Sequence, residues 1–214
     1  MRENVIEISQ ELSEESRLLI VLPVWKKIIK ENSVVQESVF VHKFIRGFQN
    51  RASKRVSNPL ATMPDPMIDH IIEARLPGSD LETMRIGHRI SMSAENILGS
   101  ILEEYIHSKI VKFNWSCCWG NAIKAVDACS IEGKLLQIKN RSNSENSSSS
   151  AIRDGTNIIK WYRIDARTGK TNWDDLCSII GKEKIFSEDD FKHFCIKLIK
   201  TNPAALSVES TTPP

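Results

Sequence analysis

Three polar residues, Asp127, Gln137 and Lys139, stand in two short apolar segments that are joined through the turn signal Glu132-Gly133. Side chains alternate between the two faces of a β-strand, so Gln137 and Lys139 project from the same face. A tight hairpin around the turn brings Asp127 to the same level of the sheet. The sequence therefore predicts that an acid, an amide and an amine meet on paired strands.

The ligands that this cluster offers suit a hard cation. The Asp127 carboxylate, the Gln137 side chain and the Ile138 carbonyl would supply oxygen ligands of the kind that Mg²⁺ prefers. Lys139 would orient or deprotonate a water, and the metal would stabilise charge that develops on a phosphate. These groups make a minimal site for phosphodiester hydrolysis. The spacing alone is a weak signal, because the same residue types are ordinary on an exposed strand face.

A helix rich in carboxylates precedes the strands. The segment SMSAENILGSILEEYIHSKI has apolar residues at helical spacing, and Ser91 or Ser93 is expected to cap it. Glu95 would then lie in the first turn at the border of the apolar stripe, so we expect it to supply a further carboxylate to the site and its metal. Glu103 is the alternative, and at least two of the three helix glutamates, Glu104 included, are expected to be ordinary solvated carboxylates.

The remaining elements follow from periodicity. SRLLIVLPVWKKIIKEN, SVVQESVFVHKFIRGF and MIDHIIEARL predict helices, with Pro23 marking a break or kink in the first. VKFNWSCCW, IKAVDACSI and KLLQIKN predict a three-stranded antiparallel meander. NIIKWYRID predicts a further strand before a turn at Thr168-Gly169, and SEDDFKHFCIKLIK predicts a capped helix. The fold class is therefore a mixed α/β protein, with a central sheet flanked by helices.

Composition fits one domain with a core, or one domain with a small helical subdomain. The 214 residues are 41% hydrophobic and 26% charged, and the net charge is +2. Residues 41–58 hold five basic residues and no acid, which suits an anionic polymer. No segment predicts a membrane span or a signal peptide. The five irregularly spaced cysteines predict reduced thiols in the cytoplasm rather than disulfides or zinc ligands.

The order of these elements resembles that of the P-D-(D/E)-x-K nuclease superfamily: a helix with Glu, a strand, a strand with Asp, and a strand with Lys. Val126-Asp127 stands in place of Pro-Asp, and Gln137 in place of the usual second acid. The segments SMSAENILGSILEEYI, CCWGNAIKAVD and LLQIKNRSNSENSSSSAIR resemble, more narrowly, the SinI-type restriction endonucleases. This resemblance covers roughly residues 90 to 175.

The resemblance implies a type II restriction endonuclease that uses Mg²⁺ to cut both strands of a short palindrome. SinI-type enzymes read GGWCC, where W is A or T. By the family pattern Asp127 is the metal ligand and Lys139 the catalytic lysine, while Glu95 would supply the carboxylate that Gln137 lacks. The resemblance further implies double-stranded DNA as substrate, a homodimer, a cognate DNA methyltransferase as genetic partner, and the bacterial cytoplasm as location.

A row of amides and hydroxyls follows Lys139, at the place where such nucleases often read bases. Arginine suits the guanine major-groove edge, and asparagine and serine suit adenine, waters or phosphates. Two residues near the N-terminal helices suit the phosphate backbone. The candidate DNA-binding residues are Asn140, Arg141, Asn143, Asn146, Ser148, Arg153, Lys54 and Arg55. The alternatives are a flexible linker for the polar row and a solvated face for the basic stretch.

The resemblance also divides the chain into parts. Residues 1–89 form an N-terminal helical region for DNA backbone contacts, dimerisation or both. Residues 90–201 form the nuclease core with a recognition segment at 140–170, and residues 202–214 form a tail that we expect to be disordered. Two other functions stay open: a non-catalytic DNA-binding module on a decayed nuclease fold, and a structure-specific repair or recombination nuclease.

Overall fold

The computed structural model describes residues 18–28, 37–57, 65–143 and 156–206 of the chain. Within these ranges it contains six α-helices and four strands. In chain order they are α1 (Leu18–Ile28), α2 (Glu37–Gln49), α3 (Pro66–Arg75), α4 (Leu81–Ile110), β1 (Trp115–Cys117), β2 (Ala128–Ser130), β3 (Leu135–Arg141), β4 (Ile158–Ile164), α5 (Trp173–Ile180) and α6 (Glu188–Thr201).

The four strands form one mixed sheet in the order β1-β2-β3-β4. Strands β1, β2 and β3 make the predicted antiparallel meander, in which Ala128 of β2 pairs with Leu136 of β3. Strand β4 lies parallel to β3 along its whole length, with Lys139 beside Tyr162. The predicted fold class, a central mixed sheet with flanking helices, is therefore confirmed.

Helix α4 is 30 residues long and begins ten residues before the predicted start. The Asp80 carboxylate caps it by accepting hydrogen bonds from the Thr83 N–H (3.0 Å) and hydroxyl (2.7 Å). The prediction of a cap at Ser91 or Ser93 was wrong, because the first half of the helix buries almost no apolar residue and has no clear stripe. The helix also runs unbroken across the expected boundary between residues 89 and 90.

The N-terminal helices and the sheet share one hydrophobic core. Val21 of α1, Phe44 of α2, Leu102 of α4 and Leu136 of β3 are all completely buried in it. Helix α1 packs on β1 and β2, and α2 packs on the short 3₁₀ turn Trp119–Asn121 that follows β1. Burial of large apolar side chains is the main source of stability, so these helices hold the sheet in place.

The C-terminal helices cover a second, aromatic part of the core. Tyr105 of α4 lies 5.7 Å from Trp173 and 5.2 Å from Phe191, measured between ring centroids. Helix α5 was missed from sequence, although Trp173, Leu176, Cys177 and Ile180 recur at the i, i+3, i+4, i+7 spacing of a buried helix face. Its eight residues are too few for the pattern to stand out between two turns.

Two smaller expectations need correction. Helix α1 continues through Pro23, so of the predicted break or kink the break is wrong. Part of the expected disordered tail is ordered, since Pro203–Ala205 forms a 3₁₀ turn with Ala205 only 1% exposed. The Asn202 amide donates to the Arg55 carbonyl (2.9 Å), which ties this turn to the N-terminal region. Residues 207–214 of the expected tail lie outside the described residues. Among described helices, none is long and apolar enough to cross a membrane.

We predict that Gly47→Ala destabilises the protein by about 2–3 kcal/mol, because the new methyl cannot be accommodated. A Cβ on Gly47 would stand 2.1 Å from the backbone nitrogen of Gly120, and backbone atoms cannot swing away. The matched control is Gly99→Ala in α4, where nothing lies within 4 Å of the new carbon. Gly99→Ala should raise the free energy of unfolding by about 0.5–1 kcal/mol. Urea unfolding measures both, and equal stability of the two variants would contradict the close packing.

Candidate active site

Asp127 is fixed by three hydrogen bonds at the entrance to β2. Its N–H donates to the Leu136 carbonyl (2.8 Å), and its own carbonyl accepts from the Cys118 N–H (2.9 Å). One carboxylate oxygen, Oδ2, accepts from the Ile138 N–H at 2.6 Å. Continuing the β2–β3 register by one residue places Asp127 opposite Gln137. The hairpin thus brings Asp127 to the level of Gln137 and Lys139.

Glu103 of α4 joins this group. The pKa of Glu103 is raised to about 8, chiefly by burial and also by the negative charge of Asp127, while the positive charge of Lys139 opposes both. Burial also raises the pKa of Asp127, against the Ile138 hydrogen bond and Lys139. Asp127 and Lys139 therefore lie close enough to Glu103 to affect its pKa, although among the described residues Lys139 makes no direct ion pair with either acid.

The electrostatics of this cluster favour a cation. Two half-buried carboxylates in one cluster cannot both ionise cheaply, so one retains its proton near neutral pH when nothing neutralises the charge. Perturbed titration of this kind, with a nearby lysine, is typical of catalytic clusters, although structural ion-pair networks also produce it. The arrangement can hold a metal, position a water and stabilise developing negative charge.

Glu95, the glutamate that the sequence favoured, is exposed on the helix surface. It precedes Glu103 by eight residues, which corresponds to about 12 Å along the axis of α4. The structure therefore brings the alternative, Glu103, to Asp127 and leaves Glu95 away from it. The sequence argument chose Glu95 because it placed the start of the helix at residue 91, whereas Glu95 lies in the middle of α4.

Glu104, beside Glu103, holds the N-terminal region against α4. Its carboxylate accepts hydrogen bonds from the Ser53 N–H (2.8 Å) and hydroxyl, and Arg51 lies 3.3 Å away. The turn after α2 is thereby fixed next to the part of α4 that carries Glu103. Lys54, in this turn, is exposed, while Arg55 is half-buried. This contact between distant segments carries no local sequence signal and was missed.

Gln137 and Ile138 complete the strand side of the site. Gln137 is 2% exposed, so its carboxamide lies inside the protein, on the strand face that alternation assigns to Lys139. The N–H of Ile138 points to Asp127. The N–H and C=O of one strand residue point to the same side, so the Ile138 carbonyl also faces Asp127.

Asn140 is engaged within the protein. Its side-chain oxygen accepts from the Arg163 guanidinium at 2.9 Å. Arg163, 7% exposed, also pairs with Glu188, whose other oxygen accepts from the Trp173 indole N–H (2.9 Å). The Asn140 side-chain oxygen thus helps to fix the end of β3, and a contact of Asn140 with DNA stays a prediction. The signal for this network was an arginine at a buried position of the alternating segment NIIKWYRID.

Of the other predicted DNA-binding residues, some are exposed and some lie outside the described residues. Arg141, the last residue of β3, and Asn143 are exposed. Asn146, Ser148 and Arg153 lie outside the described residues. All five cysteines are free thiols in the structure. Burial raises the pKa of Cys117 and Cys118 well above the ordinary value, so these thiols are poor nucleophiles.

Comparison of the chain with known proteins shows which family it belongs to. The family model of the SinI restriction endonuclease matches residues 7–201. The chain is 37% identical over 180 residues to the type II restriction enzyme Eco47I of Escherichia coli, covering 79% of this chain and 77% of that enzyme. It is 32% identical over 204 residues to the type II restriction enzyme SinI of Salmonella infantis, covering 87% of each. The protein therefore belongs to the SinI restriction endonuclease family and is a type II site-specific deoxyribonuclease.

Proposed function

We propose that this enzyme uses Mg²⁺ to cleave both strands of DNA at GGWCC, and that Glu103, Asp127 and Lys139 carry the reaction. The observation that supports the catalytic assignment is one cluster beside β3: the Ile138 N–H holds the Asp127 carboxylate there, and the charges of Asp127 and Lys139 both act on the pKa of Glu103. The resemblance to SinI-type enzymes, now extended over most of the chain, supports the recognition sequence.

The residues of the site fit a divalent cation such as type II restriction endonucleases generally need. Glu103 and Asp127 offer two carboxylates whose repulsion a cation would relieve, and Ile138 offers its carbonyl oxygen. Within the described residues no group of three or more His, Cys, Asp or Glu side chains is assembled for a metal. Two carboxylates suit Mg²⁺, which keeps several waters and takes few protein ligands. When bound, Mg²⁺ would polarise the scissile phosphate and neutralise the charge that develops on it.

Each residue of the chain has a separate task in this proposal. Asp127 is held by the Ile138 N–H through Oδ2, while Oδ1 has no hydrogen-bond partner among the described residues and is free to bind. Glu103 supplies the second carboxylate, because Gln137 carries an amide at the position of the usual second acid. Lys139 orients the attacking water and balances negative charge at the phosphate. Gln137, buried beside them, positions the strand or a ligand.

The proposal includes the assembly and setting of the enzyme. A palindromic site mirrors a two-fold axis in the protein, so we infer that a homodimer cuts both strands. An enzyme that cuts GGWCC requires protection of its host's DNA, which a cognate methyltransferase would provide. Both would act in the bacterial cytoplasm, where that DNA lies.

The two other functions considered from the sequence are less well supported. A decayed, non-catalytic module was motivated by the glutamine at position 137, but Glu103 supplies a second carboxylate from α4. A structure-specific repair nuclease does not agree with the similarity to two type II restriction enzymes.

Digestion of bacteriophage DNA of known sequence tests the activity and the specificity together. With purified protein and Mg²⁺ we expect discrete fragments, and sequencing their ends should find GGWCC at each cut. Discrete fragments with another common sequence would refute GGWCC and retain the enzyme class. A smear would indicate cleavage without specificity, and intact DNA that is retarded on a gel would indicate a binding protein.

Variants of the site test the assignment of residues. We predict that Asp127→Ala, Lys139→Ala and Glu103→Gln each lower the single-turnover cleavage rate by about 10²–10⁴-fold. Specific DNA binding, measured by anisotropy in Ca²⁺, should remain largely intact. Gln137→Ala should slow cleavage, whereas Gln137→Glu should retain activity because it restores an oxygen ligand.

The matched control is Glu95→Gln, which removes the same charge from an exposed position of the same helix. We expect it to cleave within about twofold of the wild-type rate, as surface changes usually do. If Glu95→Gln loses activity while Glu103→Gln keeps it, the carboxylate has been assigned to the wrong glutamate.

A further inference from the structure

The turn that follows β4, residues 165–170, is closed by hydrogen bonds from within. The Asp165 N–H donates to the Lys170 carbonyl, and the Gly169 N–H donates to the Asp165 carbonyl, both at 2.9 Å. Asp165 Oδ1 accepts from the N–H of Arg167 (3.1 Å) and from the N–H and hydroxyl of Thr168 (2.7 and 2.9 Å). Gly169 takes the left-handed conformation, with φ of 72°, that this turn requires. The backbone of Arg167 is thus held in one conformation.

The turn stands at the end of the catalytic strand pair. The Ser142 N–H donates to the Ile164 carbonyl (3.0 Å), and the Ala166 N–H donates to the Ser142 hydroxyl (2.9 Å), so the ends of β3 and β4 are joined. Tyr162 lies beside Lys139 in the parallel register. The turn begins at Asp165, three residues beyond Tyr162, so its start lies about 10 Å from Tyr162 along the strand direction. That distance is about three base-pair steps of 3.4 Å, within reach of a short site around the cut.

Arg167 is exposed on this turn, and none of the described acidic side chains forms an ion pair with it. The carboxylate closest in sequence, Asp165, is already engaged by the amides of the turn. Arg167 therefore combines a fixed backbone with an available guanidinium. A guanidinium donates two parallel hydrogen bonds to O6 and N7 of guanine, which a lysine ammonium does not reproduce.

We propose that Arg167 is a specificity-determining residue, which reads the major-groove edge of a guanine in DNA bound at the Glu103–Asp127–Lys139 site. A rigid turn favours base reading over phosphate binding, because a bidentate contact depends on direction, whereas a phosphate contact depends chiefly on charge. The inference rests on site-specific DNA cleavage and is independent of whether the sequence is GGWCC.

The test is an anisotropy titration in Ca²⁺ at fixed salt, with a duplex that carries the site mapped from the wild-type enzyme's own cuts and with a scrambled duplex. Arg167→Ala should weaken binding of the cognate duplex by about 5- to 150-fold. On the scrambled duplex the loss should be no more than about threefold. Arg167→Lys, which retains the charge, should lose cognate affinity nearly as strongly and should bind the scrambled duplex as the wild type does.

Three results would overturn the proposal. Equal losses on both duplexes for Arg167→Ala, or cognate binding restored in Arg167→Lys, would reduce Arg167 to a phosphate contact. Unchanged cognate affinity in both variants would remove it from the interface. If the wild-type enzyme binds the cognate and scrambled duplexes with equal affinity, site-specific binding itself is refuted. The wild-type titration shows this before any variant is compared. Because the side chain is exposed, both variants should keep the wild-type urea midpoint.

Discussion

The site depends on an arrangement that is unfavourable by itself: two carboxylates from different elements belong to one half-buried cluster. Burial and the negative charge of Asp127 raise the pKa of Glu103 to about 8, and burial raises the pKa of Asp127. Lys139 offsets only part of this repulsion. Like charges stay together only if the surrounding fold fixes them, so the packing of α4 against β1 and β3 is a condition of the chemistry.

Helix α4 and the N-terminal region hold the site residues in place. Helix α4 buries Ile101, Leu102 and Ile106 on one face, which sets the height and rotation at which Glu103 meets the sheet. Helix α2 packs its Gly47 against Gly120, in the turn whose neighbour Cys118 donates to the Asp127 carbonyl. Glu104 binds Ser53 and draws the basic turn after α2 to the site. The N-terminal helices therefore take part in positioning the site, beyond the DNA contacts and dimerisation expected of them.

Much of this site could be predicted from local pattern. Alternation and the turn at Glu132-Gly133 were enough to predict that Asp127, Gln137 and Lys139 meet, because a hairpin fixes its own register. The choice between Glu95 and Glu103 depended on where α4 begins, and its solvated first half has no hydrophobic stripe to reveal this. The contact of Asn140 with Arg163 depends on β4 lying parallel to β3, a pairing across a long connection that no local pattern specifies.

The most direct test is the response of the free energy of unfolding to Mg²⁺, without DNA. Because folding raises the pKa of Glu103 from its ordinary value of 4.5 to about 8, the folded protein binds more protons than the unfolded chain between these values. In EDTA the stability should therefore fall as the pH rises through this window, and Glu103→Gln should be more stable at pH 8 by on the order of 1–3 kcal/mol. Mg²⁺ should stabilise the wild type and Glu95→Gln, but neither Glu103→Gln nor Asp127→Asn. If Mg²⁺ stabilises Glu103→Gln as much as the wild type, the two carboxylates do not form one cation site.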